Sequence, residues 1–235
     1  MTGEASLLRR GMMDSVPLGI ALLAVGLALG TLSREAGLSW WLAAIASALV
    51  YAGPAQFLAM GQLAAGAATG TIVVTTFITS LRYLLFVASL AAHLRDTPRR
   101  RLPLLAHGVA DGSYALTIDR ARRHPGEPRL DRYLLGSFLV SFGTWVTGGI
   151  VGAVLGGALP ANLAFALGFA TPAIFIALLV PQLRDRLDWI VAAIAGSGAV
   201  AGAEVLPSGV ETLVAIVAAA LVGGVWTWKR ERRSS

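Results

Sequence analysis

Residues 38–81 read LSWWLAAIASALVYAGPAQFLAMGQLAAGAATGTIVVTTFITSL and contain no charged side chain. As a single α-helix, these 44 positions would extend about 66 Å, whereas the hydrocarbon core of a bilayer is about 30 Å thick. The stretch therefore has to turn within the membrane or at its edge. Gly53-Pro54 is the predicted break, because proline lacks an amide donor and disfavours helix in the residue before it, while glycine tolerates unusual backbone conformations. Residues 66–70, which begin and end with glycine, form a second soft region, by which we mean a stretch where the helix is expected to be interrupted.

The composition of the whole chain is that of a membrane protein. Of its 235 residues, 56% are hydrophobic and 14% are charged, and soluble domains carry nearly twice that charge. The arginines form short clusters between long uncharged runs, which is the positive-inside pattern of a polytopic membrane protein. A nucleic-acid-binding surface would instead interleave basic with polar and aromatic residues. The absence of cysteine excludes disulfides, thiolate metal sites and cysteine nucleophiles.

The uncharged runs predict an all-α polytopic fold with about six to seven transmembrane helices, some of them broken or re-entrant. The first span, residues 16–32, follows Arg9 and Arg10 without a signal-peptide cleavage site, so we expect it to be retained. Residues 102–118 are less apolar and have arginines on both sides, so we expect them to dip in from the cytoplasmic side or to lie there. The other predicted spans cover residues 71–92, 133–159, 161–180, 189–206 and 213–228.

The basic residues also predict the orientation of the chain. If residues 38–70 enter and leave on the outer side, 17 of the 19 Lys and Arg residues fall on the inner side. Only Arg34 then lies outside, and Arg82 lies within the membrane. This asymmetry favours a multi-pass protein of the inner (plasma) membrane with both termini in the cytoplasm.

The two halves of the chain resemble each other. Residues 48–59 (ALVYAGPAQFLA) match residues 166–177 (ALGFATPAIFIA) at seven of twelve positions, with an offset of 118. We interpret the match as an internal two-fold repeat within one permease domain, residues 1–235, although chance similarity between apolar helices is the alternative. Gly/Pro-broken helices in such repeats form the midplane sites of secondary transporters. The charge count gives both halves, about residues 11–118 and 129–228, the same orientation.

Arg82 is the strongest candidate for a functional residue. A cation at the centre of a membrane helix costs about 3 kcal/mol, so it normally faces an anion or a watery cavity. Because a guanidinium binds a carboxylate through two parallel hydrogen bonds, we favour a substrate carboxylate as that anion. An ion pair with a fixed acid is the alternative. Asp111 is the best placed acid, whereas Asp14 and Glu204 are predicted at solvated helix ends.

The break at Gly53-Pro54 is the second candidate site. It frees backbone N–H and C=O groups, which a membrane tolerates only where protein or a water-filled cavity satisfies them. Such groups suit the charged ends of an amino acid, although a simple kink is the alternative. The predicted substrate-binding residues are Arg82, Gly53, Pro54, Gln56, Asp111 and Pro172.

Motifs of enzymes are missing from the sequence. It contains neither H-E-x-x-H nor G-x-x-x-x-G-K, and Ser197 lacks the glycine two residues earlier that an intramembrane serine protease would show. We therefore expect no enzymatic activity, no ATP hydrolysis, no metal and no cofactor. Glycines between residues 143 and 157 have small-xxx-small spacings, which predict close helix packing, by default within this chain and alternatively against a partner subunit.

Five blocks of the sequence, in order and spacing, resemble the AzlC family, the large subunits of two-component branched-chain amino acid exporters. The resemblance covers about residues 11–186. The family usually has an acidic pair where this chain has Asp111-Gly112, and an aspartate where this chain has Gly168 or its neighbours. The five blocks are Gly11 to Pro17-Leu18-Gly19, YAGPAQF at 51–57, LRY at 81–83, DGSYA at 111–115 and PAIFIALL at 172–179.

The resemblance implies a function. Members of the family export leucine, isoleucine, valine and methionine, depend on a small hydrophobic AzlD-type membrane subunit and use the proton motive force. We therefore expect an exporter of small neutral, chiefly branched-chain, amino acids. A non-transporting membrane scaffold or assembly subunit, and an importer or channel for another small solute, are the alternatives.

Overall fold

The computed structural model describes residues 2–94, 97–156 and 185–206, with a few further residues between 176 and 183 and between 210 and 226. The described residues form no strand, which agrees with the predicted all-α fold. The helices are α1 (Thr2–Asp14), α2 (Val16–Glu35), α3 (Trp40–Val50), α4 (Gly53–Ala64), α5 (Thr69–Ala91), a 3-10 helix (Arg99–Arg101), α6 (Leu102–His107), α7 (Asp111–Arg123), α8 (Leu130–Gly156) and α9 (Arg186–Ala203).

Three of the described helices, α2, α5 and α8, are long and apolar enough to cross a membrane. Each overlaps one of the predicted spans, and α9 covers most of the run predicted at 189–206. The span predicted at 161–180 lies largely outside the described residues, and part of the span predicted at 213–228 does too. The total number of spans therefore stays a prediction.

α2 and α8 lie side by side and run in the same direction. Ser15, just before α2, donates a hydrogen bond of 2.7 Å to Ser137, a buried pair 122 residues apart. Gly26 meets Gly148 with the same separation of 122 residues, at 3.2 Å between a Cβ built on Gly26 and the Gly148 Cα. Because the contacts advance together along both helices, the pair is parallel. Glycines on both sides let the backbones approach this closely.

The parallel pair agrees with the orientation that the charge count gave to the two halves. α2 shifted by 118 residues falls within α8, so the two helices occupy corresponding positions of the proposed repeat. The repeat itself stays a prediction, because nearly all of the matching segment, residues 166–177, lies outside the described residues.

The glycine face of α8 is filled from within the chain. A Cβ at Gly148 would lie 2.5 Å from the Leu23 carbonyl oxygen of α2, and one at Gly149 would lie 2.8 Å from the Ser47 hydroxyl of α3. These glycines therefore serve the default role, packing inside this chain. The alternative, in which they receive a partner subunit, is wrong for this face.

α3 and α4 form the predicted broken helix, with a different backbone from the one expected. The left-handed conformation falls on Tyr51 (φ 40°), between the two helices, and Gly53 is already the first residue of α4. Pro54 lies in the first turn of α4, where its missing donor costs no helical hydrogen bond. Space is tight at Gly53, because a Cβ there would lie 3.3 Å from the ring of Trp145.

After the break, α4 leads away from α8 and turns into α5. The turn contains Gly66 (φ 73°), within the soft region predicted at 66–70. The buried hydroxyl of Thr75 donates a hydrogen bond of 2.7 Å to the Gln62 side chain, which joins the end of α4 to the start of α5. α3 and α4 meet at residues 51–52, the tip of the first hairpin, where Tyr51 lies beside Phe138 and Phe142 near the middle of α8.

α6 and α7 form a second hairpin from the opposite end of α8. Arg101, before α6, lies 3.3 Å from Asp131, and Arg120, near the end of α7, stacks over the ring of Tyr133 at 4.9 Å. Both ends of this hairpin therefore lie beside the first turns of α8. The contacts favour a segment that dips in from the arginine-rich side, which stays a prediction for the membrane-bound protein.

We expect Gly152→Ala to destabilise the pairing of α2 with α8. Its Cβ would collide with the backbone carbonyl oxygen of Leu27, which cannot yield unless the helix moves. Overpacking typically costs about 1–3 kcal/mol, so the melting temperature of the detergent-purified protein should fall. Gly143→Ala is the matched control, since nothing lies within 4 Å of a Cβ at that position. Equal melting temperatures would contradict this packing.

Candidate functional site

The tips of the two hairpins meet beside the middle of α8. His107, the last residue of α6, has its ring centroid 6.0 Å from that of Tyr51. Its Nε2 lies 3.1 Å from the carbonyl oxygen of Ala48, near the end of α3. The histidine therefore connects the two helix breaks directly. Such a contact supplies a partner for one of the carbonyl groups that the end of α3 leaves without a helical donor.

An aromatic cluster from α8 supports both tips. Phe138 and Phe142 lie 5.9 Å and 5.2 Å from Tyr51, both edge-on, and each also packs against the ring of His107. Gly108 follows His107, and a Cβ there would lie 2.6 Å from the Phe138 ring. This close approach explains why the chain breaks here at a glycine. The cluster therefore holds both helix breaks against α8.

Gln56, one of the predicted binding residues, lies in the first turn of α4 and is buried. Its Oε1 accepts a hydrogen bond of 3.0 Å from the indole Nε1 of Trp145. Phe57 packs edge-on against the same indole, with 6.5 Å between the ring centroids. The side-chain amide nitrogen of Gln56 makes no hydrogen bond with the described residues.

Arg82 and Asp111, the two charged residues predicted to bind substrate, contact each other. Arg82 lies near the middle of α5, and Asp111 is the first residue of α7. The Arg82 Nη2 donates a hydrogen bond of 2.9 Å to the Asp111 Oδ2, and the Tyr83 hydroxyl donates to the same oxygen at 3.2 Å. Asp111 is also favourably placed for its charge, because a helix N-terminus stabilises an anion.

The ion pair leaves a donor and an acceptor unused. Arg82 Nη2 and the Tyr83 hydroxyl both donate to Asp111 Oδ2, whereas Arg82 Nη1 and Asp111 Oδ1 make no hydrogen bond with the described residues. The two side chains are 37% and 49% exposed, so both groups can be reached. Arg82 Nε, by contrast, is buried without a partner among these residues. The pair is thus open to a ligand on one side.

The contact bears on the two interpretations of Arg82, and the role of Arg82 in binding substrate stays a prediction. Its anion is the fixed carboxylate of Asp111, which was the alternative. Asp14, predicted as a solvated helix end, accepts a hydrogen bond of 2.8 Å from the Tyr133 hydroxyl. Glu204 follows the end of α9, as expected for an interfacial residue. A substrate carboxylate would therefore have to share Arg82 with Asp111.

Three residues of this region escaped the sequence analysis. Tyr83 is adjacent to Arg82 in a block that carries the resemblance, so it could have been noticed. His107 lies in the segment 102–118, which the flanking arginines predict to dip in from the cytoplasmic side or to lie there, and Trp145 lies in a run of apolar residues without any motif. Pro172, the remaining predicted binding residue, lies outside the described residues. No cluster of His, Asp and Glu suited to a metal ion occurs in the part of the chain that the structure describes.

Gly112, which stands where the family usually has the second residue of an acidic pair, has little space around it. A Cβ at Gly112 would collide with the side chain of Leu18 in α2. A second acidic side chain at this position would therefore require Leu18 to move. Asp111 alone supplies the negative charge at the start of α7.

Comparison with known proteins identifies relatives along nearly the whole chain. The model of a family described as AzlC protein matches residues 17–159. An uncharacterized membrane protein of Archaeoglobus fulgidus is 33% identical over 223 residues, 94% of each chain. The inner membrane protein YgaZ of Escherichia coli K12 is 29% identical over 92% of this chain and 90% of its own. No solved structure matches.

We expect a double-mutant cycle on Arg82→Ala and Asp111→Ala to reveal coupling. Each single variant leaves an unpaired charge between the helices, so the double variant should be more stable than the sum of the two losses predicts. The measurement is thermal unfolding of the detergent-purified protein.

The pair Arg123 and Asp119 is the matched control. It has a similar separation, 3.0 Å, but is 73% and 54% exposed, and exposed helical pairs contribute only about 0.3–0.5 kcal/mol. A coupling for Arg82 and Asp111 no larger than that of the control would show that the site pair is an ordinary surface ion pair.

Proposed function

We propose that this chain, which belongs to the AzlC family, exports branched-chain and other small neutral amino acids as the large subunit of a two-component permease. The family is one of transporter-type membrane proteins, and membership in it indicates a role in membrane transport. The relatives named as membrane proteins, among them the inner membrane protein YgaZ, favour a multi-pass protein of the inner membrane. We place both termini in the cytoplasm on the charge asymmetry.

One observation carries the proposal for an amino acid as substrate. Arg82 Nη1 offers N–H donors, and Asp111 Oδ1 offers an acceptor, beside the point where two helix breaks meet. A free amino acid presents the complementary pair, an α-carboxylate for the arginine and an α-ammonium for the aspartate. Both charges of the ligand would then be neutralised by fixed charges, which lowers the cost of holding a zwitterion at this depth.

The surroundings of the pair favour an apolar substrate side chain. The ring of Phe86 lies 5.9 Å from that of Tyr83, and Tyr114 stacks on Phe86 at 4.3 Å. Together these rings provide an apolar surface next to the charged groups. A branched aliphatic side chain can pack on them without needing a hydrogen-bond partner, which a polar side chain would lack.

The two hairpins provide a route for alternating access. One hairpin extends from each end of α8, and their tips meet at the site, so each tip separates the site from one side of the membrane. Displacement of one tip at a time would open the site to one side only. Residues at the tips, such as Tyr51 and His107, would then part and rejoin during the cycle.

We also propose an AzlD-type subunit as partner, since the family resemblance implies one. α5 offers it a surface, because one side of this helix carries exposed apolar side chains. They are Val73 (61% exposed), Phe77 (64%), Leu84 (66%) and Leu85 (71%).

Export can be measured in cells fed with leucine-containing dipeptides. Expressing the chain together with an AzlD-type small subunit should lower intracellular leucine relative to an empty vector. Arg82→Lys should slow efflux at least tenfold at near-normal protein abundance, because lysine keeps the charge but lacks the second donor edge. Arg123→Lys, in the exposed pair with Asp119, is the matched control. Unchanged leucine on co-expression would contradict export and leave the scaffold alternative.

We propose proton coupling with Asp111 as the proton carrier, because it is the carboxylate at the hairpin tips and changes partners if substrate engages Arg82. In proteoliposomes, Asp111→Asn should abolish the response of leucine efflux to an imposed pH gradient, while leucine–leucine exchange persists with weaker affinity. Asp119→Asn is the control. A variant Asp111→Asn that still responds to the gradient as the wild type does would assign the proton to another group.

A further inference from the structure

Two adjoining cavities lie at the arginine-rich end of the protein, beside α1 and away from the substrate site. One, of about 390 Å³, is lined by Arg10, Arg120, Glu127 and Arg129 among others. The other, of about 460 Å³, is lined by Arg9, Arg10, Met13 and Asp14 with Ser6. They share Arg10 and Ser6. Four arginines and two carboxylates thus surround a space large enough for a phosphate-bearing head group.

The partners of these charges determine which of them are available. Arg120 donates two hydrogen bonds of 2.7 Å to the Glu127 carboxylate, and Arg129 pairs with Asp131 at 3.0 Å. Arg9 and Arg10, in contrast, are exposed and form no ion pair with the described residues. The positive charge that remains for a ligand is therefore that of α1.

An apolar stripe continues from these cavities along α1 and α2. It begins at Met13, which lines the second cavity and lies one turn after Arg9. Ser15, between the two helices, keeps right-handed helical dihedral angles, so the spacing of three and four residues places the members of the stripe on one face of the segment from α1 into α2. The stripe consists of Met13 (60% exposed), Val16 (43%), Ile20 (68%) and Leu23 (36%).

We propose that this surface binds one anionic phospholipid of the arginine-rich leaflet, with its phosphate between Arg9 and Arg10 and an acyl chain along the stripe. From Met13 to Leu23 the helix rises about 15 Å, which is half of a hydrocarbon core of about 30 Å, the depth of one leaflet. A free phosphate would use the cavities but not the stripe. Basic residues next to a membrane helix attract anionic lipids in the same way.

Lipid binding at this surface would also affect the contact between α1 and α8. Gly11 of α1 lies so close to the Tyr133 carbonyl oxygen that a Cβ would collide with it, and Asp14 accepts from the Tyr133 hydroxyl. A lipid bound to Arg9 and Arg10 would contact the same turn of α1. Bound lipid is therefore expected to stabilise the contact between α1 and α8.

The test is lipid titration of the full-length purified chain by native mass spectrometry in a neutral detergent. Wild type should bind phosphatidylglycerol in preference to phosphatidylcholine with the same acyl chains. Arg9→Gln combined with Arg10→Gln should weaken phosphatidylglycerol binding about thirtyfold, the effect of removing two interfacial cations. Arg100→Gln combined with Arg122→Gln, which removes two exposed arginines from the same end, should change binding less than threefold.

Three outcomes would overturn the proposal. Equal affinity of the wild type for the two lipids would remove the selectivity for anions. An equal loss of phosphatidylglycerol affinity in the control variant would show that the attraction comes from any basic residue at this end of the protein and not from Arg9 and Arg10. Displacement of phosphatidylglycerol by millimolar inorganic phosphate would identify a phosphate site instead of a lipid site. Arg9→Lys with Arg10→Lys guards against misfolding and should retain phosphatidylglycerol binding within about threefold, since charge rather than fork geometry carries the attraction.

Discussion

The fold depends on the requirement that backbone polar groups in a membrane find partners inside the protein or in a water-filled cavity. Two helix breaks, at residues 51–52 and 108–110, would each be costly alone. Placed tip to tip, they share partners, as the contact between His107 and the Ala48 carbonyl shows. The aromatic face of α8 shields them on one side. The breaks are therefore tolerated where they can also expose polar groups to a ligand.

The two tips need a rigid support that keeps them at fixed positions relative to each other. The parallel pair of α2 and α8 provides this support. Glycines at the contact bring the two backbones together, so neither helix can slide without a collision. Residues on the other faces of the same helices then reach the site. Leu18 of α2 packs on Gly112, and Trp145 of α8 holds Gln56. Close packing and the site are thus built from the same two helices.

Sequence patterns predicted the local features and missed the contacts between distant segments. The predicted break at Gly53-Pro54 lies within two residues of the one in the structure, and the turn at Gly66 falls within the predicted region 66–70, both from proline and glycine alone. The surroundings of Gly53 could not be predicted, because the side chain that lies close to it, Trp145, is 92 positions away in the sequence. The same holds for the glycines of α8, whose spacing predicts close packing but carries no information about which helix fills the face.

The ion pair between Arg82 and Asp111 is better explained by binding than by stability. Exposed pairs contribute at most about 1 kcal/mol, and well-packed apolar residues often replace a buried pair without loss. A half-exposed pair between the middle of α5 and the tip of the second hairpin therefore adds little to folding and costs desolvation in a membrane. What it does provide is one free donor edge and one free acceptor oxygen at fixed positions. Groups held in this way need no rearrangement to receive a zwitterion, so the arrangement lowers the cost of binding.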